Sequence, residues 1–210
     1  GYIYVFYIDH FYTNGRDGNA ALDRGGRRSG VKLIRAKLPD VAPGAWRIFR
    51  DGAFDGPALP TAFRADDPAS FARPGPIATP LFANRRDPAA GTSETESFAV
   101  AKVDGLDLFV GAEVYQDWQD EAPSPCPGKH RLALRFSTDL VHWSERRDIY
   151  GCADAGAFGL HYATFVRRDS TTNEVIDGDD FYVVGTARKS SEAFEYRALR
   201  LRIAPGAGRP

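Results

Sequence analysis

Residues Thr92 to Gly111 read TSETESFAVAKVDGLDLFVG, and the rest of the chain can be placed from them. Ser97 to Val103 and Leu106 to Ala112 are strand-like runs joined by Asp104-Gly105. An Asp-Gly pair between two such runs is the strongest short signal for a β-hairpin, because a two-residue turn needs positive backbone angles. One carboxylate, Glu96, stands at the upstream end of the first run.

Runs of the same kind recur on both sides. Tyr2 to Asp9 alternates aromatic and aliphatic residues, Val31 to Leu38 follows, and Trp46 to Phe49 comes after the turn Pro43-Gly44. Downstream of the hairpin, Arg131 to Ser137 and Ser144 to Tyr150 continue one group of strands. Tyr162 to Arg168, Phe181 to Ala187 and Tyr196 to Ile203 form another. Asp51 to Gly91 is rich in Pro, Ala and Asp with little periodicity, and reads as a long loop holding a short strand at Pro76 to Phe82. Few stretches carry a helical period, so the chain is predicted to be all-β. Three strand groups follow, over about 1–60, 92–150 and 151–204, with 205–210 as a tail or linker.

If each group runs up and down, the start of its inner strand, the end of the second and the start of the third share one face. Glu96 marks that face. The long segments His10 to Gly30, Gln116 to His130 and Lys189 to Glu195 fall on it, whereas the tight turns Asp104-Gly105 and Thr138 to His142 fall opposite, with the long, polar Arg167 to Asp179 as the exception. Long loops gathered on one side of a rigid scaffold are where binding groups belong.

Composition excludes several classes. A net charge of −1 and a pI of about 6.5 give no electrostatic case for nucleic acid or a membrane surface. No apolar run approaches the ~20 residues of a membrane span. Cys126 and Cys152 flank the strands from Arg131 to Tyr150; a disulfide would staple that pair and imply an oxidising compartment, and two unpaired thiols are the alternative. Their spacing does not resemble a zinc site. The glycines Gly15, Gly18, Gly25 and Gly26 do not follow a strand in the spacing a phosphate loop needs.

Several of these pieces resemble one family. The run from Glu96 through Lys102, Asp104 and Gly105 to Leu108 is similar to the segment bearing the general acid in the arabinanase, xylosidase, levansucrase and invertase superfamily of five-bladed β-propeller glycosidases. Phe136 to Trp143, FSTDLVHW, looks like the outer turn of that family, and Asp180 to Thr186, DFYVVGT, like its second-strand run. Against the sialidase Asp-box, Val141 stands where a Gly belongs and Trp143 comes one residue early. The expected role of this turn is structural, with Asp139 bonding backbone N–H groups and Trp143 packing between blades.

The resemblance implies a partial five-bladed propeller with about three antiparallel blades, since roughly 40 to 60 residues make one blade. The chain has no Met and begins inside a strand run. It is therefore expected to be a fragment whose remaining blades, with the partner carboxylates, precede Gly1; a complete small β-domain is the alternative. The implied activity is hydrolysis of glycosidic bonds in a poly- or oligosaccharide, in a secreted or periplasmic enzyme, and the segment alone is expected to be catalytically incomplete. The alternative is a non-catalytic propeller that binds carbohydrate or protein through the same face.

Glu96 is the expected general acid, which needs a carboxyl whose pKa is raised by a buried channel. Glu94, two residues upstream, Asp9 and His10 at a strand end, and the rim aromatics Tyr115 and Trp118 are candidate sugar contacts, as are Tyr12 and Phe158. His161 opens an inner strand beside the channel. The resemblance allows a calcium or other cation near it, and a structural histidine is the alternative. No metal-ligand set is read from the sequence itself.

Overall fold

In the computed structural model, residues 1–9, 30–58, 78–83, 85–87, 91–117, 130–150, 160–168, 173–188 and 193–203 are described. They form fourteen strands and no α-helix, with a single 3₁₀ turn at Pro43–Ala45. Two compact units divide the chain, Gly1–Ala83 and Asn84–Pro210.

In the first unit, β1 (Tyr2–Asp9) pairs antiparallel with β2 (Gly30–Lys37) from Tyr2↔Lys37 to Asp9↔Gly30. β3 (Arg47–Arg50) and β4 (Ala53–Pro57) extend this meander, and β5 (Phe82–Ala83) also pairs with β2. Val31, Leu33, Ala36, Ile48, Phe49 and Ala78 are its buried apolar residues among those described. β4 lies in what the sequence presents as loop. AFDGP has no alternation to announce a strand, yet the turn at Asp51-Gly52, both at positive φ, folds it back on β3. Phe54 then packs on Phe49, with ring centroids 5.3 Å apart. Of the strand expected at Pro76 to Phe82, only Phe82 is in a strand among the described residues.

The second unit holds two sheets. One has the order β10-β9-β8-β7-β12, with β6 (Arg85–Asp87) also on β7; its main strands are β7 (Gly91–Val103), β8 (Phe109–Asp117), β9 (His130–Ser137) and β10 (Arg147–Tyr150). The other is β11 (Leu160–Arg167), β13 (Phe181–Arg188) and β14 (Phe194–Leu201). β12 (Val175–Ile176) leaves the second group and pairs parallel with β7. A hydrophobic cluster among the described residues, from Ala101, Val110 and Leu132 to Phe165, Ile176 and Phe181, draws on both sheets. Antiparallel meanders in chain order are consistent with a partial propeller.

The hairpin at Asp104-Gly105 is present but its loop is longer than expected. Only Gly105 takes a positive φ, and a type I′ turn needs two. Val103 instead donates to the carbonyl of Leu108 at 2.9 Å, and β8 starts at Phe109. The Ser137–Trp143 turn has the expected Asp139 geometry: Oδ1 accepts the backbone N–H groups of Val141 and His142 at 2.9 and 2.7 Å. Trp143, expected between blades, packs on its own sheet, edge-on to Phe98 at 5.1 Å. Gly111 leaves the space for it, because a Cβ there would meet both rings.

Candidate functional site

β7 runs thirteen residues, so Glu96 lies within the strand, whereas the sequence alone puts it at the strand's start. Its placement comes from a register shift. Thr95 pairs with Tyr115 and Ser97 with Val114, the next residue of β8, which leaves Glu96 as the extra residue of a β-bulge. A bulge breaks strict side-chain alternation and re-aims the residue it carries.

Thr95 anchors this bulge from the inside. It is fully buried, and its Oγ1 donates to Glu113 Oε1 at 2.6 Å. Glu113, on β8 and also fully buried, accepts Arg135 Nε on Oε2 at 2.6 Å, and Arg146 through Nη2 on Oε1 at 2.6 Å and Nε on Oε2 at 3.0 Å. Burial pushes this carboxyl up, but Arg146, Arg135 and Thr95 outweigh burial and hold it below the ordinary range.

Two histidines close on Glu96. His130 is the first residue of β9, opposite Gln116, which in turn pairs with Glu94. His161 is the second residue of β11, where a further register shift separates the pairs His161↔Thr186 and Thr164↔Val184. Tyr162, inside that shift, has φ 50. A non-glycine residue in this region stores backbone strain of the kind found at ligand sites.

His161 Nδ1 lies 3.2 Å from Glu96 Oε1, and His130 Nε2 lies 3.0 Å from Oε2. The two imidazole rings are 3.9 Å apart between centroids. Side-chain exposures of 12% for His130, 17% for His161 and 24% for Glu96 put the cluster in a half-buried setting still open to a small solute. His130 Nε2 makes an ion-pair contact with Oε2, and among the described residues His130 Nδ1 has no hydrogen-bond partner.

Burial pushes the Glu96 carboxyl up, but the contacts with His130 and His161 outweigh it and lower the pKa to about 2. The direction is opposite to the one expected of a resting general acid. Two imidazoles flank the carboxylate where neighbouring carboxylates were anticipated, and they favour its ionised form.

The other anticipated contacts are distributed differently. Tyr115 is buried; its hydroxyl donates to Asp148 Oδ1 at 2.6 Å, and the guanidinium groups of Arg146 and Arg131 sit over its ring at 4.0 and 4.5 Å. With its ring covered by arginines, Tyr115 packs the fold and offers no free face for sugar stacking. Glu94 pairs with Gln116 through the β7–β8 ladder, and Asp9 with Gly30 in the first unit. Only their backbones are described. His10, Tyr12, Trp118, Phe158, Cys126 and Cys152 lie outside the described residues.

His130 is the member that sequence reasoning missed. A signal for it was present, because the start of a third strand lies on the same face as the start of the inner one. No family model matches this chain. No curated protein matches it either.

Proposed function

We propose that this chain is the carboxylate-bearing part of a glycosidase-like propeller acting on a poly- or oligosaccharide, with Glu96, His130 and His161 working as one unit. The observation that carries this reading is the bulge at Glu96, which brings a carboxylate between two imidazoles from β9 and β11. Each sugar hydroxyl both donates and accepts hydrogen bonds, and a half-buried Glu–His–His group answers both. The fold contributes rigidity: each member sits on a strand, and Glu113 with its two arginines fixes the bulge from behind.

A second reading is favoured by the pKa of about 2 at Glu96. A carboxylate that stays ionised accepts sugar hydroxyls well but has no proton to give, so the same face would bind carbohydrate without cleaving it. One experiment separates the two: a panel of polysaccharides and aryl glycosides assayed for hydrolysis, with glycan-array binding in parallel, on the wild type and Glu96→Gln. Under the hydrolytic reading turnover falls by about 10²–10⁴-fold in the variant, while its circular dichroism is unchanged. Under the binding reading there is no turnover to lose and glycan affinity falls. Wild-type protein that neither cleaves nor binds any glycan would sink both.

A further inference from the structure

We propose that Glu96, His130 and His161 form a binding site for a divalent transition-metal ion, of which zinc is the representative. Their donor atoms, one carboxylate oxygen and two imidazole nitrogens, all lie within 4.8 Å of one another. Metal–ligand bonds of about 2.0–2.1 Å in a tetrahedral arrangement separate neighbouring donors by about 3.3 Å. The observed separations, 3.0 Å from His130 Nε2 to Oε2 and 3.2 Å from His161 Nδ1 to Oε1, go to different oxygens of the carboxylate, and each is within a few tenths of that.

Three further features converge on the same place. The Oε2 atom of Glu96 is buried, and its 3.0 Å contact is with His130 Nε2, another member of the cluster, so an ion bound there would take the place of that contact. Both strands that bring in Glu96 and His161 are irregular at those residues, and Tyr162 keeps a positive φ beside His161. Strain and bulges at two independent strands, meeting at one group of ligand-type side chains, are what a site built for a bound species requires.

Donor chemistry selects the ion. Calcium takes roughly six to eight oxygen donors and magnesium an oxygen octahedron, whereas two imidazoles and one carboxylate suit zinc, cobalt, nickel, copper or ferrous iron. Three protein donors leave a position for water or a sugar hydroxyl. The inference does not rest on the hydrolytic reading, because metal binding needs no sugar. It also separates the two readings above: an ion engages the Glu96 lone pairs, so it suppresses turnover in a hydrolase and supplies a hydroxyl ligand in a binder.

The test is calorimetric titration of chelator-stripped protein with zinc sulfate, repeated with His130→Ala and His161→Ala. Alongside it, the histidine ¹⁵N resonances of the unaltered protein are followed by NMR. The expected result is one equivalent bound, at least tenfold weaker in each variant, with no displacement by millimolar calcium. Of the four histidines, His130 and His161 shift and His142 does not. If a variant fails to fold, the NMR readout on the unaltered protein decides alone. No saturable binding, less than a tenfold change in folded variants, displacement by calcium, or shifts that omit His130 and His161 would each overturn the proposal.

Discussion

Glu113 shows how much one residue can hold. Its carboxylate is fully buried and takes four hydrogen bonds from Thr95, Arg135 and Arg146. Replacing it with Gln leaves two guanidinium groups without their counter-charge in a dry setting, and breaking a buried pair from one side costs about 3–5 kcal/mol. Urea unfolding of Glu113→Gln is expected to show a loss of that size. The pH dependence has a definite sign. The folded carboxyl lies below its ordinary value of 4.5, so its contribution is complete above that pH and is lost as pH falls through the folded value. The wild type should therefore lose stability steeply on acidification below about pH 4.5, and Glu113→Gln should follow a flatter course. A variant that tracks the wild type in both measurements would show the network to be dispensable. At this scale the sequence was legible in part. Glu96 and His161 stand out as polar residues opening strands; His130 shares their face as the start of a third strand, but that signal singles it out only once β9 is laid beside β8.

Elements reveal why some predictions held and others moved. Strands with strong alternation, such as Tyr2–Asp9 and Phe181–Arg188, are where the sequence put them, because each buries one face. β4, β6 and β12 were invisible: they are two to five residues long, and no side-chain period can be read from so few positions. The bulge at Glu96 was equally hidden, since a register shift is a property of two strands together. Gly111 provides the test at this level. A side chain there would run into the Phe98 ring and reach Trp143, so Gly111→Val should destabilise the unit by about 1–3 kcal/mol, read as a lowered urea midpoint. The same substitution in a Phe98→Ala background should recover part of the loss. An unchanged midpoint for the single variant would mean that Trp143 does not close over the sheet.

For the whole molecule, the division at Ala83 makes a prediction about autonomy. Every member of the large hydrophobic cluster, from Ala99 to Ile203, belongs to the second unit. A unit with its own core folds alone. Residues 84–210 produced by themselves should therefore melt in one cooperative transition with β-type circular dichroism, and a broad, non-cooperative melt would contradict this. The all-β class was legible at this scale from periodicity and turn chemistry. The division into units was not, because it depends on which apolar faces meet, and the sequence presents 51–91 simply as a long loop.

β12 has a consequence for modularity. Val175 and Ile176 come from the chain that builds the next sheet, yet they occupy the rim of β7, where Lys102 and Asp104 donate to the carbonyls of Glu174 and Ile176 at 2.7 and 2.8 Å. The strand group that ends at Tyr150 is thus finished by residues twenty-five positions further on. A recombination joint placed between Tyr150 and Leu160 would hand over a sheet with a raw border, whereas one placed after Gly178 would carry the seal with it. The transferable module in this protein is out of phase with its visible sheets.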